Sequence, residues 1–383
     1  MDIQIGRLGQ AWGKVQANFT TAPTLASTDA FRHLELDLGI NIRNRTNAPD
    51  RLTTPDLRRR VSHKTTASWD LKSALMWPSG TLGTAPEHDI FLTNGLGSKA
   101  VGTASTTVAA SPTPTTSTFT VASATGLAVG KLIAVNVTGI GIEVRMISAL
   151  ATAAVTLSQA LSAAPTTGDT VKTSVQYTPA SNLPASLCLA HYMTTNGTLL
   201  SRQINGCVVD KLGFMFDAND EPKFTAGGPA RDQTRPAQTQ PGAFTTVGTA
   251  MPTGMTGDLR ISDASYPFLK GNVNVTNGMK LRNAEYGSSK ATGYYRAGRR
   301  VVEVSFDSYV EDPSVVYALG ESTATAPILF QTGNVEGQIV VIYMPKVEFE
   351  IPSTPDGENE LVWSFKGVAL GVSGNDEIQV AYF

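Results

Sequence analysis

Charge is scarce in this chain. Asp, Glu, Lys and Arg make up 16% of its 383 residues, and the formal net charge is −2. Nucleic-acid-binding domains usually carry a strong basic excess, and nothing in this balance advertises a grip on DNA or RNA. Cysteine is nearly absent: Cys188 and Cys207 are the only two, with no CxxC spacing. That excludes a disulfide-stapled secreted scaffold and leaves two buried thiols or a single bridge. Aromatics are 7% of the chain, thin for a sugar-binding platform. No apolar run approaches the roughly 18 residues of a membrane helix, so no membrane partner is expected. The opening MDIQIGRLGQAWGK has no basic segment followed by an apolar one, which predicts no secretory leader and folding in the cytosol.

Catalytic signatures are missing too. His33, His63, His88 and His191 fall in no HExxH or HxxxH spacing, and no Cys/His set matches a zinc site. There is no GxSxG elbow, and GLGSKA at 95–100 lacks the phosphate-loop spacing. HLELD at 33–37 puts His, Glu and Asp on one strand face, which fits a solvated face better than a metal site. DANDEP at 217–222 departs from the EF-hand order and reads as a turn, and EHD at 87–89 as a loop. No carboxylate pair is marked for hydrolysis. The expectation is no enzyme activity, no cofactor and no metal.

What is present is strand-forming material. Glycine (35) and proline (21) are plentiful, and Thr, Ser, Ala and Val recur throughout. The length allows two or three domains. Residues 1–30 are polar and predict an extended arm. From 31, FRHLELDLGINI alternates at period two, as a half-buried strand does. The polar RNRTNAPDRLTTPDLRRR is a loop or a loose hairpin arm, and Val61–Trp69 a strand. Asp70 then predicts the cap of a short helix stopped by Pro78 and Gly80. Leu212, Phe214 and Phe216 share one face of KLGFMF. Farther on, FLKGNVNVTNGMKL is a strand or hairpin strand, Val301–Val310, ELVWSFKGVAL and DEIQVAYF are strands, and GQIVVIYMPKVEFEI a strand pair. RNAEYGSSKATGYYRAGRR is a polar loop and PSTPDGEN a turn. EDPSVVYALGES predicts a short helix, with Asp312 as cap, Pro313 in its first turn and Gly320 at its end.

The two ends of the chain are alike in order. IRN at 42–44 answers LRN at 281–283, and RRV at 59–61 answers RRV at 299–301. KLGFMF at 211–216 answers KVEFEI at 346–351, and KFTAGG at 223–228 answers SFKGVA at 364–369. Collinear self-similarity predicts a duplication. Matching the Arg-Arg-Val letters sets Trp69 against Tyr309 but puts Val302, Val304 and Phe306 against polar residues. A slip of one residue restores the faces, pairing Val61 with Val302 and Trp69 with Val310. The predicted organisation is an all-β dominated chain, a β-sandwich or barrel with short flanking helices. It comprises an arm (1–30), a first β domain (31–97 and 174–235), an inserted module (98–173) and a second β domain (236–383).

The insert opens on a Thr/Ser/Pro-rich linker and continues as short strands between glycine turns, predicting a small β-barrel or sandwich. Its expected core is Phe119, Val121, Leu132, Val135, Val144, Ile147, Val155, Leu157 and Val171, with no ionisable cluster. A module hung from a loop is expected to be an exposed appendage. The largest charge run is Arg43, Arg45, Arg51, Arg58, Arg59, Arg60 and Lys64, echoed by Lys290, Arg296, Arg299 and Arg300. It reads either as a solvated loop or as a contact with an acidic surface on another copy. No stacking aromatics are interleaved with the arginines, which disfavours nucleic acid.

The polar inter-strand loop, the short helix after the second strand and the closing run PDGENELVWSFKGVALGVSGNDEIQVAYF resemble the major tail tube proteins of long, flexible-tailed (siphovirus-type) bacteriophages. Within these, the flagellum-seeking, chi-like group is the one suggested. The insert is similar to small β modules of phage tail proteins. The resemblance covers most of the chain in layout. It implies six sandwich folds per ring, rings stacked into a tube, a long loop from each fold touching the next ring, and a channel that carries DNA from capsid to host. The implied partners are further copies of the chain and the tape-measure, terminator and baseplate proteins, with DNA passing through the lumen unbound. The implied location is the virion, after synthesis in the host cytoplasm. With two folds per chain, three chains would close a pseudo-sixfold ring. The basic residues named above would make inter-subunit or inter-ring contacts, and the insert would face outward. The alternatives are another tail part (a baseplate hub, tail tip or decoration protein) and a carbohydrate-binding β protein.

Overall fold

Strands carry nearly all the regular structure, as the composition predicts. The computed structural model describes residues 9–39, 42–47, 60–195, 198–235, 239–243, 251–309, 318–322, 324–352 and 362–383. The first half contains β1 (Gln10–Val15), β2 (Ala30–Phe31), β3 (Glu35–Leu38), β4 (Ile42–Asn47), β5 (Arg60–Leu75), α1 (Asp89–Leu96) and β6 (Gly97–Val101). Then come β7 (Ser105–Thr107), β8 (Thr118–Thr120), β9 (Leu132–Val137), β10 (Gly141–Ala151), β11 (Ala154–Leu157) and β12 (Thr170–Lys172). The chain returns through β13 (Val175–Pro179), β14 (Leu187–Thr195), β15 (Thr198–Cys207), β16 (Lys211–Asp217), β17 (Lys223–Ala230) and β18 (Asp232–Thr234). The second half holds β19 (Gly257–Ile261), β20 (Ala264–Tyr266), β21 (Phe268–Thr276), β22 (Met279–Arg282), β23 (Gly293–Arg296) and β24 (Val301–Tyr309). It ends with β25 (Thr325–Thr332), β26 (Val340–Phe349), β27 (Val362–Ala369) and β28 (Gln379–Tyr382).

One antiparallel run, β3-β5-β17-β16-β21-β24-β27-β26, forms an inner sheet that spans both halves. Alternation is clearest in β24 and β16. Val302, Val304 and Phe306 of β24 are buried while Val301 and Glu303 are exposed, and Leu212, Phe214 and Phe216 of β16 are buried as expected. The buried face packs on two outer layers. Over the first half lies β18-β15-β14-β1-β2; over the second lies β20-β19-β25-β26, extended through β28 to β13 and β6. Phe306 stacks on Phe365 at 4.9 Å between centroids and meets Phe330 of the outer layer at 6.2 Å, while Phe330 lies flat on Phe216 at 5.5 Å. Such pairs add about 0.5–1.5 kcal/mol each beyond their burial.

The two halves are paired alike. β1·β2, β1·β14, β14·β15 and β15·β18 have their counterparts in β19·β20, β19·β25, β25·β26 and β26·β28. β3·β5, β5·β17 and β16·β17 have theirs in β21·β24, β24·β27 and β26·β27. In both, a hairpin arm leaves the sheet between the first two inner strands: β4 with the start of β5, and β22 with β23. The single long β26 does the work that β15 and β16 divide.

Several expectations are corrected. Asp70 does not cap a helix, because β5 runs unbroken to Leu75. The helix is α1, which EHD opens: Asp89 sits in its first turn and Gly97 ends it in the left-handed conformation at φ 108°. Gln10–Val15, expected in an extended arm, is a central strand with Ala11 and Trp12 fully buried. GQIVVIYMPKVEFEI supplies one strand, not a pair. In the polar loop after β22, residues 293–296 form β23. The Arg-Arg-Val letters are not equivalent: Val61 pairs Thr46 in the arm, whereas Val301 pairs Thr276 in the sheet. Trp69 faces Gly228 as Val302 faces Ala369, so the first residues of β5 have left the sheet to build the arm. Ile351 is 58% exposed and does not share the core of Val347 and Phe349. Of the expected second helix, Ala318–Glu321 is helical, and Asp312 and Pro313 lie outside the described residues. The turn PSTPDGEN lies outside them from residue 353 onward.

Candidate assembly surfaces

The outward face of the inner sheet is mostly polar, with Val301 and Val368 as exposed apolar residues on it. Residues Asp37, Asp70, Gly227, Lys211, Thr276 and Val301 stand in one cross-strand row, each opposite the next. A second row runs Thr225, Gly213, Asn274, Glu303, Val368 and Glu348. Asp217, Lys270, Asp307 and Ser364 form a third. Exposed Glu35, Asp37, Asp70, Asp217, Glu303, Glu348 and Glu350 outnumber Lys72, Lys211, Lys270 and Lys366. Asp70 feels this excess: partial burial and the facing Asp37 raise its carboxyl above the usual value, against the pull of Lys72. HLELD proves to be mixed, with Glu35 and Asp37 on the solvated face and His33 edge-on to His191 at 5.1 Å between centroids.

On the opposite side the insert is docked rather than hanging. Its sheet runs β7-β12-β9-β10-β11-β8. One face carries its own core of Phe119, Val121, Val135, Ile147, Val155, Leu157 and Val171. The expected core residues Leu132 and Val144 point the other way. They pack on Leu329, Ile339, Val341, Tyr343, Ala381 and Phe383 of the outer layer. Three glutamines complete the join. Gln176 bonds both backbone groups of Leu132, Gln331 takes the Val144 N–H at 2.9 Å and donates to the Ile142 carbonyl at 2.7 Å, and Gln379 donates to the Gly130 carbonyl at 2.8 Å. An ionic cluster, unexpected from the insert alone, lies between them. Arg145, fully buried, reaches Glu143 at 3.2 Å, and Arg260 of β19 reaches Glu143 at 3.4 Å and Asp258 at 2.8 Å. Burial, then Arg260, brings the Arg145 guanidinium down to about 10. Half of that cluster comes from residues far along the chain, so no local pattern announces it.

The basic residues are divided by the fold. Arg43, Arg45 and Arg60 belong to the backbone of the first arm, and Arg51, Arg58 and Arg59 lie outside the described residues. The second arm lies on the first half of its own chain. Lys290 pairs with Asp232, Arg231 donates to the Ala291 carbonyl at 3.1 Å, and the Tyr294 hydroxyl donates to the Pro184 carbonyl at 2.7 Å. Arg300 is inside, bonded to Glu377 at 2.8 Å, Asn277 at 2.9 Å and the Ala180 carbonyl at 2.9 Å. Half-buried Arg296 lies near it, its pKa drawn down by burial and by Arg300, while Arg299 is exposed. The arms touch: Lys64 donates to the Asn283 carbonyl at 2.6 Å, and the Thr65 N–H to that of Ser289 at 3.2 Å.

Cys188 and Cys207 are free, buried thiols. Burial pushes Cys188 up to about 12 and raises Cys207 well above its ordinary value. Among the described residues no group of His, Cys, Asp and Glu is placed to hold a metal ion, and no helix is long and apolar enough to cross a membrane.

A family model described as phage tail tube protein matches residues 148–364. The match begins within β10 of the insert, takes in β13 to β18 of the first half and continues through the second half into β27, more than half of the chain. No curated protein matches it.

Proposed function

The chain belongs to the phage tail tube protein family and is a structural component of the phage tail; from that premise we propose that it polymerises into stacked trimeric rings, of pseudo-sixfold symmetry, that form a DNA-conducting tube. The observation that carries the ring is the inner sheet. Its two halves repeat one pairing scheme and are joined by β16·β21. Among the described residues β3, the counterpart of β21, pairs with β5 alone. A second copy offering its β26 to that edge would repeat the β16·β21 junction, and three copies would close a barrel with no free edge. The duplicated unit, on this reading, begins at β1 and again at β19.

The polar face would line the lumen. An excess of carboxylates there repels the phosphate backbone, so DNA slides and is not held. The insert, docked behind the outer layer, would then decorate the tube exterior. The first arm, with Arg43, Arg45, Arg51, Arg58, Arg59 and Arg60, would contact another copy. The second arm, carrying Lys290, Arg296 and Arg299, would serve as the internal pattern for that contact, with Arg300 holding its base. A long, flexible, siphovirus-type tail of the chi-like group fits this reading, with tape-measure, terminator and baseplate proteins as partners.

Negative-stain electron microscopy with mass measurement of single rings tests the proposal. Hollow stacked tubes with three chains and six inner lobes per ring are expected. Six chains per ring would keep the tube and remove the duplication. Rings that never stack would make the protein a hub.

A further inference from the structure

The edge that a second copy must reach is already occupied. β16 has two neighbours, β17 on one side and β21 on the other. The matching stretch of β26 has β27 on one side, with Val347 opposite Ala369. On the side where a counterpart of β21 belongs, Val347 faces Ala326 and Glu348 faces Thr325, the first residues of β25. That short stretch is separable from the rest of its strand. The register breaks between Ala326 and Ile328, across Pro327, which has no N–H to give the ladder. From Ile328 to Thr332 β25 stays in the outer layer, paired with Met344 to Val340.

The first half shows the same place in its engaged form. The residues ahead of β14, the counterpart of β25, do not pair with β16. They are turned away at Pro184, whose carbonyl accepts the Tyr294 hydroxyl of the second arm. One chain thus holds the junction made, at β16·β21, and the junction covered, at β26.

We propose that Thr325 and Ala326 are a latch over the assembly edge of β26, displaced when β3 of a second copy pairs there. The proposal rests on the ring reading above. The partner is a second copy because the internal junction supplies the fit. β21 brings Val273 and Val275 to the core and Asn272 and Asn274 to the polar face, and β3 brings buried Leu38 and half-buried Leu36 to the core and Asp37 to the polar face. The latch keeps an otherwise open strand edge covered until a correct partner arrives, which limits random edge-to-edge association.

Hydrogen exchange on the unmodified chain, before and after assembly, reads this directly. Peptides over 324–327 are expected to lose protection in rings while those over 34–39 gain it. A second test locks the latch. Thr325 and Glu348 are directly opposite, so Thr325→Cys with Glu348→Cys can form a cross-strand disulfide. The native thiols are buried and out of reach. The oxidised variant is expected to stay as single chains and to assemble after reduction. Unchanged protection of 324–327 in rings, or oxidised variant rings indistinguishable from reduced ones, would overturn the latch alone. Absence of rings from the parent chain under all conditions, seen by microscopy, would overturn the ring reading and the latch with it.

Discussion

Gln176 treats Leu132 as a neighbouring strand would. Its side-chain oxygen accepts the Leu132 N–H at 3.1 Å, and its nitrogen donates to the Leu132 carbonyl at 2.6 Å, both within the buried join between insert and outer layer. Gln176→Leu would leave two buried backbone groups unpaired, each costing about 1–3 kcal/mol. The expected outcome is earlier proteolysis of the insert with the inner sheet intact, followed by limited digestion and mass spectrometry.

Glu143 is the shared anion of the same join. It pairs with Arg145 and Arg260 and accepts the Ser162 N–H at 2.8 Å. Glu143→Gln leaves two guanidiniums buried together, and removing one partner of a buried ion network costs about 3–5 kcal/mol. Urea unfolding should show that loss, and a variant with unchanged midpoint would mean the cluster is dispensable.

Acid should weaken the first half before the second. His33, His88 and His191 sit among β2, β14 and α1, and burial lowers each, with His88 also opposing the charge of His33 and His33 that of His191; His191 falls to about 4. Arg202, opposite His191, works in the same sense, while Glu87 beside His88 works against it. Each histidine is held neutral in the fold, so the unfolded chain binds protons more readily. Stability is therefore full above about 6.5, the unperturbed value, and is lost as pH falls through the window down to about 4. Thermal melts across this range should show a falling midpoint, flattened in His191→Gln.

Gly228 lies where β17 crosses the backbone ahead of β16. A Cβ there would sit 2.1 Å from the Val208 carbonyl oxygen. Gly228→Ala must push one strand off the other, at a cost of about 3 kcal/mol. Soluble yield and melting temperature should both drop, whereas Gly293→Ala, with open space around it, should be silent.

If the first arm is the contact with another copy, reversing its charge should stop assembly without unfolding the chain. Arg51→Glu with Arg58→Glu and Arg59→Glu is expected to melt like the parent yet sediment as single chains. Assembly of the parent should weaken at high salt.

The alternation in KLGFMF and in Val301–Tyr309 was legible because a sheet with one wet face writes its burial into every second residue. The likeness of the two halves in strand pairing was legible in the order of their motifs, yet not in the letters. Val61 and Val301 stand in like words but in different structures, since an arm that leaves the sheet shifts the register without changing composition. The helix at Asp89–Leu96 was hidden because Phe91, Leu92 and Leu96 serve a core built from distant strands. Arg300 looked like a surface cation because nothing near it in sequence names Glu377 or Asn277 as its partners.

By itself, then, the sequence determined strand content, the polar and apolar faces of the inner strands, and the absence of catalytic motifs, because these depend on residue type and short spacing. Only the tertiary structure decided that the insert is clamped to the far half, that the second arm is spent within its own chain, and that Thr325 and Ala326 cover β26 at Glu348 and Val347. Each of these depends on residues brought together across long stretches of chain, and pairing at that range is fixed by the packing of whole sheets rather than by any local pattern.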